Sequence, residues 1–188
     1  SPLMHYDPLG RLIRTDFPNG TFSRVEFTAW EQTSFDANDT VLESDWYAAR
    51  FDYAGADEAL LKEKRAALLA AAHANTPSQV HLDTLGRPFL TIAHNKAGAD
   101  NVFTETKSVM DIQGHVLAVL DARRNTAEAR TYGMLGQPLE VLSHDAGTRV
   151  HLLDALGQPM RSWDDRDQRF SVTHDDLRRP VSVGGGAE

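Results

Sequence analysis

Short hydrophobic runs alternate with compact polar corners along most of the chain. The first corner, Asp7-Pro8-Leu9-Gly10, carries Asp, Pro and Gly at the positions that these residues favour in a type I turn. A Gly in a left-handed conformation after such a turn makes a common connection between two antiparallel strands. The pattern therefore predicts a β-hairpin in which Tyr6 precedes the corner and Asp7 and Gly10 hold it.

Variants of this corner recur, and the last three copies follow one another at about 21 residues. Between them lie second turns that read as a different kind, at residues 121–125, 144–147 and 164–167. Two turns per period and no helix predict stacked antiparallel hairpins, each in contact mainly with its neighbours. The predicted structural turn residues are Tyr6, Asp7, Gly10, Asp83, Gly86, Asp111, Gly114, Gly136, Asp154, Gly157 and Asp175.

Two copies of the corner depart from the pattern. Gly133 replaces the Asp in one copy, which removes the carboxylate that would cap the turn. Arg178 replaces the Gly in the last copy, where a left-handed conformation would cost roughly 1 kcal/mol or more. We therefore expect the last turn to be looser or of another type.

Strands are predicted on both sides of these corners. Residues 11–15 and 21–27 flank an Asn-Gly turn and are rich in β-branched and aromatic side chains, which favours two strands. In the regular part, strands are predicted at residues 116–120, 138–142, 149–153, 159–163, 170–174 and 180–183.

Residues 28–80 interrupt the repeat and are predicted to form an insertion rich in aromatic residues. Asp57 is placed to cap a helix over residues 57–74. One face of this helix, formed by Leu60, Leu61, Leu68 and Ala72, would cover the sheet by lying on or beside it. The predicted organisation is all-β hairpins with one helix-containing insertion. Its parts are the first hairpins (1–27), the insertion (28–80), the regular array (81–183) and a flexible tail (184–188).

Composition narrows the function. Hydrophobic residues make up 41% of the 188 residues and charged residues 24%, as in a folded chain. The net charge of −8 argues against nucleic acid as a partner, because binding of that kind shows as a basic patch. The absence of Cys excludes disulfides and thiolate metal sites. No apolar run reaches the roughly 18 residues that span a bilayer, and no signal peptide is recognisable.

The carboxylates that recur in register could form a catalytic or metal-binding array. Local turn bonding explains an Asp at that corner without any ligand. Asp36-x-Asn38-x-Thr40 begins like a calcium loop, yet Val41 and Tyr47 stand where a Gly and a bidentate acid are required. The histidines show no zinc-binding spacing. We therefore predict no catalytic residue, no metal, no cofactor and no enzymatic activity.

An ordered series of motifs carries a resemblance to a known family. The segments 6–16, 18–22, 38–44 and 81–89 resemble the Tyr-Asp (YD, or RHS) repeat family, and in particular the later part of the B subunit of bacterial insecticidal Tc toxin complexes. The similarity covers nearly the whole chain, including the insertion. It implies that the hairpins form one continuous, spiral RHS-type sheet.

The resemblance also implies a function in virulence. The chain would be a wall segment of a shell that, together with a C-type RHS subunit, encapsulates a toxic polypeptide and hands it to a pore-forming translocation subunit. Such a protein is made in the bacterial cytoplasm and exported or released as part of a secreted toxin complex, without inserting directly into a membrane. The chain begins inside a repeat and ends in glycines, so we expect it to be a segment of a longer protein. We expect this segment to self-associate through its open strand edges or through its open cargo-side face.

Two other functions stay open at this point. Exposed aromatic side chains could stack on sugars, which is typical of a glycan-binding module. The chain would then be a glycan- or protein-binding module of a surface or secreted YD-repeat protein, and a fragment of an effector enzyme is the third reading. The aromatic residues concerned are Trp30, Trp46, Tyr47 and Trp163.

Overall fold

The structure is a computed structural model, and it describes residues 1–98 and 100–187. It divides into two compact units, residues 1–105 and the part of the chain from Thr106 onward, called here the first and the second unit. The described residues form one open sheet of fourteen strands with a small helical insertion. The predicted all-β fold of antiparallel hairpins with one helix-containing insertion is confirmed.

Strand order in the sheet follows the order of the sequence. Strands β1 to β6 pair antiparallel in succession, and so do strands β7 to β14. The strands are β1 (Leu3–Tyr6), β2 (Leu12–Asp16), β3 (Phe22–Phe27), β4 (Glu31–Phe35), β5 (Ser78–Leu82), β6 (Pro88–Ala97), β7 (Asp100–Met110), β8 (Val116–Leu120), β9 (Thr126–Tyr132), β10 (Pro138–Ser143), β11 (Gly147–Leu153), β12 (Pro159–Asp164), β13 (Gln168–His174) and β14 (Pro180–Ala187).

The insertion between β4 and β5 gives the first unit a small core. It contains a 3-10 helix (Val41–Glu43), helix α1 (Asp45–Ala48) and helix α2 (Glu58–Ala71). The Thr40 hydroxyl donates to the carbonyl oxygen of Phe22, and the N–H of Trp46 donates to the carbonyl oxygen of Gly20 at 3.3 Å. The buried residues of the described chain all lie in this unit: Thr15, Phe22, Asp39, Thr40, Val41, Ser44, Ala67 and Ala74.

The second unit has no such core. None of residues 106–186 is buried, and the side chains on both faces of its strands are exposed or half-buried. Considered by itself, this unit is a single sheet layer, because its described elements are all strands of one sheet. Among the described residues, no helix is both long and apolar enough to cross a membrane.

The insertion is shorter than the sequence predicts. Within the predicted range 28–80, residues 31–35 form β4 and residues from Ser78 form β5, so the interruption of the sheet covers residues 36–77. The β4 strand was missed because its side chains, Glu-Gln-Thr-Ser-Phe, carry little apolar alternation. It is held by pairing with both β3 and β5.

Helix α2 also differs from its prediction. The predicted range was 57–74, but Asp57 is the N-cap, its carboxylate accepting the Ala59 N–H at 2.8 Å, and the helix ends at Ala71. The predicted covering face is wrong, because Leu60, Leu61 and Leu68 are exposed. A different face of the helix contacts the rest of the insertion. Arg50 Nε lies 2.9 Å from the Glu63 carboxylate, and Lys64 Nζ donates to the carbonyl of Tyr53 at 2.9 Å. Ala67 is buried.

The predicted flexible tail, residues 184–188, is wrong for the part that the structure describes. Gly184, Gly185 and Gly186 belong to β14 and pair with Ser171, Phe170 and Arg169 of β13. The backbone N–H and C=O groups of these glycines are satisfied because they pair with the edge of β13. Glu188 lies outside the described residues.

The six strands predicted between residues 116 and 183 are present, each within four residues of its predicted ends. Strands β1, β5, β6, β7 and β9 were not among the predicted ranges. The longest two are β6 and β7, and Gly98, which follows β6, has a φ of 66°.

Candidate functional surface

The corner at Asp7 shows how the turns are built. Its N–H donates to the carbonyl of Arg11, and the Gly10 N–H donates to the Asp7 carbonyl, each at 2.9 Å. Gly10 is left-handed, with a φ of 77°. One carboxylate oxygen of Asp7 accepts the N–H groups of Leu9 and Arg11, both at 2.9 Å. The acid thus binds two donors that the bare turn would leave to water.

The other predicted corners repeat this geometry. The two backbone bonds recur at residues 83–87, 111–115, 154–158 and 175–179, with distances of 2.8 to 3.1 Å. The glycines at positions 86, 114, 136 and 157 all have positive φ. Tyr6 lies beside the first corner as the last residue of β1, and its hydroxyl contacts the sulfur of Met4 rather than the turn.

A side-chain contact that sequence reasoning missed completes most corners. Arg11 Nε donates to the second carboxylate oxygen of Asp7 at 2.7 Å, and Arg87 does the same with Asp83. The equivalent pair on the last corner is Arg179 with Asp175. The signal was present in the sequence, because a basic residue follows these acids by four positions.

These bonds hold the carboxylates in the ionised form. The hydrogen bond from the backbone N–H of Arg11 is the largest cause that lowers the pKa of Asp7, and the N–H groups of residues 87, 125, 158 and 179 act likewise on the pKa of Asp83, Asp121, Asp154 and Asp175. The side chain of His115 is the largest cause that lowers the pKa of Asp111. These acids are committed to local bonds, and they are poorly suited to proton transfer near neutral pH.

The expectation for the last corner is wrong. Arg178 adopts the left-handed conformation with a φ of 61°, and its N–H donates to the Asp175 carbonyl at 2.8 Å, as the Gly does elsewhere. The reason is a contact with the neighbouring corner. Arg178 Nη1 lies 2.9 Å from Asp154 Oδ2, and Gln158 Nε2 donates to the Arg178 carbonyl at 3.3 Å.

Two of the second turns are of the same kind as the corners, contrary to the prediction. At Asp121 the backbone bonds to Asn125 and from Arg124 are both 2.9 Å, and Arg124 has a φ of 65°. Asp164 likewise caps the N–H groups of residues 166 and 168, with Asp167 at a φ of 56°. The prediction failed because Gly was taken as the marker of the left-handed position.

Neighbouring turns of the second unit are tied together sideways. The Thr148 N–H donates to Asp165 of the next turn on the same side at 2.7 Å. The ring of His115 stacks on Tyr132 with centroids 4.6 Å apart, and the Tyr132 hydroxyl donates to the Val116 carbonyl. These neighbouring hairpins are therefore joined by side chains as well as by the backbone ladder.

The corner at Gly133 lacks the carboxylate, as the sequence indicates, yet keeps its backbone bonds. The Gly133 N–H donates to the Gln137 carbonyl, and the Gly136 N–H donates to the Gly133 carbonyl, each at 2.9 Å. A side chain on Gly136 would meet His115, because its Cβ would lie 2.9 Å from the Nε2 atom of that ring. The neighbouring hairpin therefore packs where the acid is missing.

Asp39 closes the insertion of the first unit. This buried carboxylate accepts the Asp36 N–H at 2.8 Å, the Thr76 N–H at 2.9 Å and the Thr76 hydroxyl at 2.8 Å. The Asn75 N–H donates to the backbone carbonyl oxygen of Asp39 at 3.0 Å. One residue therefore joins the beginning of the insertion to its end.

The calcium-loop candidate is built from the same residues. The Asp36 carboxylate accepts the N–H groups of Asn38 and Asp39 at 2.7 and 2.9 Å. The one carboxylate of the candidate loop, that of Asp36, is thus engaged by backbone donors. Within residues 1–98 and 100–187, no group of three or more acidic or His side chains is placed to hold a metal ion.

The aromatic candidates of the first unit lie in different parts of it, and the fourth, Trp163, belongs to the second unit. Trp30 is exposed in the β3–β4 turn, at the opposite end of β3 from Gly20, which Trp46 contacts. The guanidinium of Arg50 lies over the Trp46 ring, at 5.0 Å from its centroid. Tyr47 stacks on Phe51 with centroids 5.3 Å apart. Trp163 is a half-buried residue of β12, in the second unit.

Comparison with known proteins places this fold. No protein-family model matches the chain, and no curated protein does. Solved structures do match over 99% of the chain. The crystal structure of TcdB2-TccC3 matches at 25% sequence identity with a TM-score of 0.76, and that of TcdB2-TccC3-Cdc42 at 23% identity with a TM-score of 0.77. The structure of the Photorhabdus luminescens Tc holotoxin pore with a mutation in TccC3 matches at 24% identity with a TM-score of 0.79.

The chain spans 8% of the length of each of these matched chains. The predicted resemblance to Tc toxin components is confirmed, since these structures match 99% of the chain at TM-scores of 0.76 to 0.79. The chain has the fold of a segment of the Tc toxin complex structures.

Proposed function

We propose that the chain is a wall segment of an RHS-repeat shell that encloses a toxic polypeptide in a secreted bacterial toxin complex. One observation carries the proposal: the second unit is a single sheet layer with no buried residue, built from strands in sequence order. A layer of this kind separates two sides, which is what the wall of a shell must do.

The bonding of the turns supports a role as a wall. Carboxylates and backbone groups satisfy the donors at the ends of the hairpins, and side chains such as Arg178 and Tyr132 join each hairpin to the next. Neighbouring strands are hydrogen-bonded along the sheet. Such a sheet can be extended in both directions without leaving unpaired backbone groups inside it.

We propose that this wall acts without catalysis. Its partners are the C-type RHS subunit that completes the shell, the toxic cargo, and the pore-forming translocation subunit of the same complex. The matched structures support this assignment, because one holds TcdB2 together with TccC3 and another is a Tc holotoxin pore. The producing bacterium would export or release the chain within that complex.

A segment exchange tests the proposal. The chain replaces the stretch that it matches in the TcdB2-TccC3 complex, and assembly is followed by size-exclusion chromatography and electron microscopy. We expect a closed particle whose enclosed polypeptide resists added protease. The matched control carries Val in place of Gly86, Gly114, Gly136 and Gly157, which keeps the length and prevents the left-handed turns.

Two outcomes would contradict the wall assignment. One is a chain that folds, by circular dichroism, yet leaves the exchanged complex unassembled. The other is an assembled particle whose cargo is digested as fast as in the turn-disrupted control.

A further inference from the structure

One corner of the second unit lacks the carboxylate that caps the others. At six corners, one carboxylate oxygen of an Asp accepts two backbone N–H groups, from the residues two and four positions later, at 2.8 to 3.0 Å. The acids concerned are Asp7, Asp83, Asp121, Asp154, Asp164 and Asp175. At the corner that begins at Gly133, the corresponding donors are the N–H groups of Leu135 and Gln137. Neither of them has an acceptor in the part of the chain that the structure describes.

The backbone of the Gly133 corner is otherwise the same as at the capped corners. Its two backbone bonds are 2.9 Å long, compared with 2.9 and 3.0 Å at Asp154. Gly136 has a φ of 79°, and Gly157, at the equivalent position of the Asp154 corner, has a φ of 80°. The two N–H groups are therefore held in the arrangement that binds a carboxylate oxygen elsewhere in the chain. Backbone N–H groups that converge in a turn form concavities in which anions bind.

The place of the missing side chain is open. Gly133 does not have a left-handed φ, so its backbone conformation is one that an Asp can adopt. A Cβ on Gly133 would lie 3.4 Å from Leu139 Cδ1 and 3.6 Å from Gln137 Cδ, which are ordinary van der Waals contacts. His115 contacts this corner at Gly136 and is not among the atoms nearest to that place. A carboxylate that approaches from solvent therefore finds space beside both N–H groups.

The side chain of Gln137 offers a third donor. At the Asp121 corner, the amide at the equivalent position belongs to Asn125, and its Nδ2 donates to the second carboxylate oxygen at 3.2 Å. At the following corner of the same end, Gln158 donates to the carbonyl of Arg178. The Gln137 amide forms neither kind of bond with the described residues, and its Oε1 is buried without a donor. A carboxylate in this corner would give the amide a partner that the chain itself does not supply.

The neighbouring acids leave this corner accessible to a singly charged anion. The corners on either side of it, at the same end of the strands, lie about 9.6 Å away. Their carboxylates are engaged, Asp111 by the ring of His115 and Asp154 by Arg178. The Debye length is about 8 Å at physiological ionic strength, so most of the repulsion from these acids is screened. A doubly charged anion such as sulfate meets twice this repulsion.

We propose that the Gly133 corner is a binding site for a carboxylate group. One carboxylate oxygen accepts the N–H groups of Leu135 and Gln137, and the other faces the Gln137 side-chain amide, in the way that the chain binds the carboxylate of Asp121. Charge on the acceptor strengthens such bonds. The carboxylate belongs either to a small free anion such as acetate or to an acidic side chain of a bound peptide segment. The site is independent of the proposed shell, because every donor comes from this chain.

Titration of the full 188-residue chain with sodium acetate tests the site. Amide proton and nitrogen shifts are followed by two-dimensional NMR while chloride keeps the ionic strength at about 0.15 M. We expect the amide protons of Leu135 and Gln137 to shift downfield and to saturate, with a dissociation constant in the millimolar range. Those of Leu156 and Gln158, which Asp154 already binds, should stay unchanged. Constant shifts at Leu135 and Gln137, or an equal response to sulfate, would overturn the proposal.

Two substitutions fill this site or create a second one. Gly133→Asp supplies the carboxylate from the chain itself and should raise the dissociation constant of acetate at least about ten-fold. Asp154→Gly empties the next corner and should give Leu156 and Gln158 the acetate response that Leu135 and Gln137 show in the wild-type chain. The wild-type titration and Gly133→Asp decide the proposal even if Asp154→Gly does not fold. An unchanged acetate affinity in Gly133→Asp would overturn it.

A blocked peptide distinguishes the two sources of the carboxylate. Acetyl-Gly-Asp-Gly-amide presents one acidic side chain, and the same peptide with Asn in place of Asp is the control. Tighter binding of the Asp peptide than of acetate assigns the site to an acidic segment, and equal or weaker binding assigns it to a small free anion. Shifts of the Leu135 and Gln137 amides by the Asn peptide that match those by the Asp peptide would overturn the proposal.

Discussion

The two units of the chain reach a stable sheet in different ways. In the first unit, the insertion buries Phe22 and Val41 and closes on itself through Asp39. In the second unit, none of residues 106–186 is buried, and the strands are held by the backbone ladder, the capped turns and side chains that reach the next hairpin. The repeated hairpins alone thus form a sheet layer, whereas the insertion adds a small hydrophobic core to the first unit.

The comparison predicts unequal costs for the same substitution. Phe22→Ala removes a ring that is 5% exposed and should lower the free energy of unfolding of the first unit by about 3 kcal/mol. Phe170→Ala removes a ring that is 40% exposed and should cost the second unit about 1 kcal/mol. Urea unfolding followed by hydrogen exchange in each unit measures both values, and equal losses would show that the first unit has no distinct core.

The closure of the insertion should depend on Asp39. Asp39→Ala leaves the Asp36 N–H, the Thr76 N–H and the Thr76 hydroxyl without their acceptor in a buried site, which should cost about 2 kcal/mol. Hydrogen exchange across residues 36–77 reports the loss. Asp52→Ala, at an exposed position of the same insertion, is the control and should change the free energy by no more than about 0.5 kcal/mol. Similar effects of the two changes would mean that Asp39 does not hold the insertion together.

The turns of the second unit should depend on backbone conformation more than on packing. Gly157 has a φ of 80°, and no atom lies within 4 Å of the place where its Cβ would be. Gly157→Val should therefore cost about 1.5 kcal/mol from strain alone. Gly186→Val in β14 meets equally open space without a positive φ and serves as the control in thermal unfolding. An unchanged melting temperature for Gly157→Val would show that residue 157 does not need a left-handed conformation.

Acid should weaken the second unit before the first. The pKa of each capped Asp is lowered in the folded state, so its contribution to stability is present above the unfolded value of 3.8 and is lost as the pH falls through the lower folded values. The second unit has four such acids and no buried core, and the first has three and a core. They are Asp111, Asp121, Asp154 and Asp175 against Asp7, Asp16 and Asp83.

Hydrogen exchange between pH 5 and pH 2 should show this order of opening. Because each of these carboxylates lies at the surface, we expect a gradual change, smaller for each group than the substitutions above. Asp154→Asn should make the β11–β12 hairpin less sensitive to pH over this range. Loss of the first unit at a higher pH than the second would contradict the comparison.

The corners could be predicted from the sequence because their chemistry is local. Asp7 and Gly10 specify the turn within four residues, and the same frame identifies the later copies. Arg178 and Arg124 were misjudged for the complementary reason. Their left-handed conformations depend on what surrounds them, and for Arg178 this includes Asp154, which lies 24 positions earlier.

Features that depend on contacts between residues far apart in the sequence could not be predicted from the sequence alone. Strand β4 is polar along its length and is defined by its bonds to β5, more than forty residues later in the sequence. The covering face of α2 was predicted from its leucines, but contacts of Glu63 and Lys64 with the earlier part of the insertion turn the helix the other way. The placement of alternate turns at one end of the strands likewise emerges only from the strand order.

The agreement of strand order with chain order has a consequence for synthesis. Nearly every strand finds its partner within about twenty residues, so contact order is low and loop closure costs little entropy. Each hairpin can form on the one before it while the ribosome is still extending the chain. The exception is β4, which must wait for the whole insertion before β5 arrives, and we expect translation through residues 36–77 to be the stage at which a growing polypeptide is most exposed to misfolding.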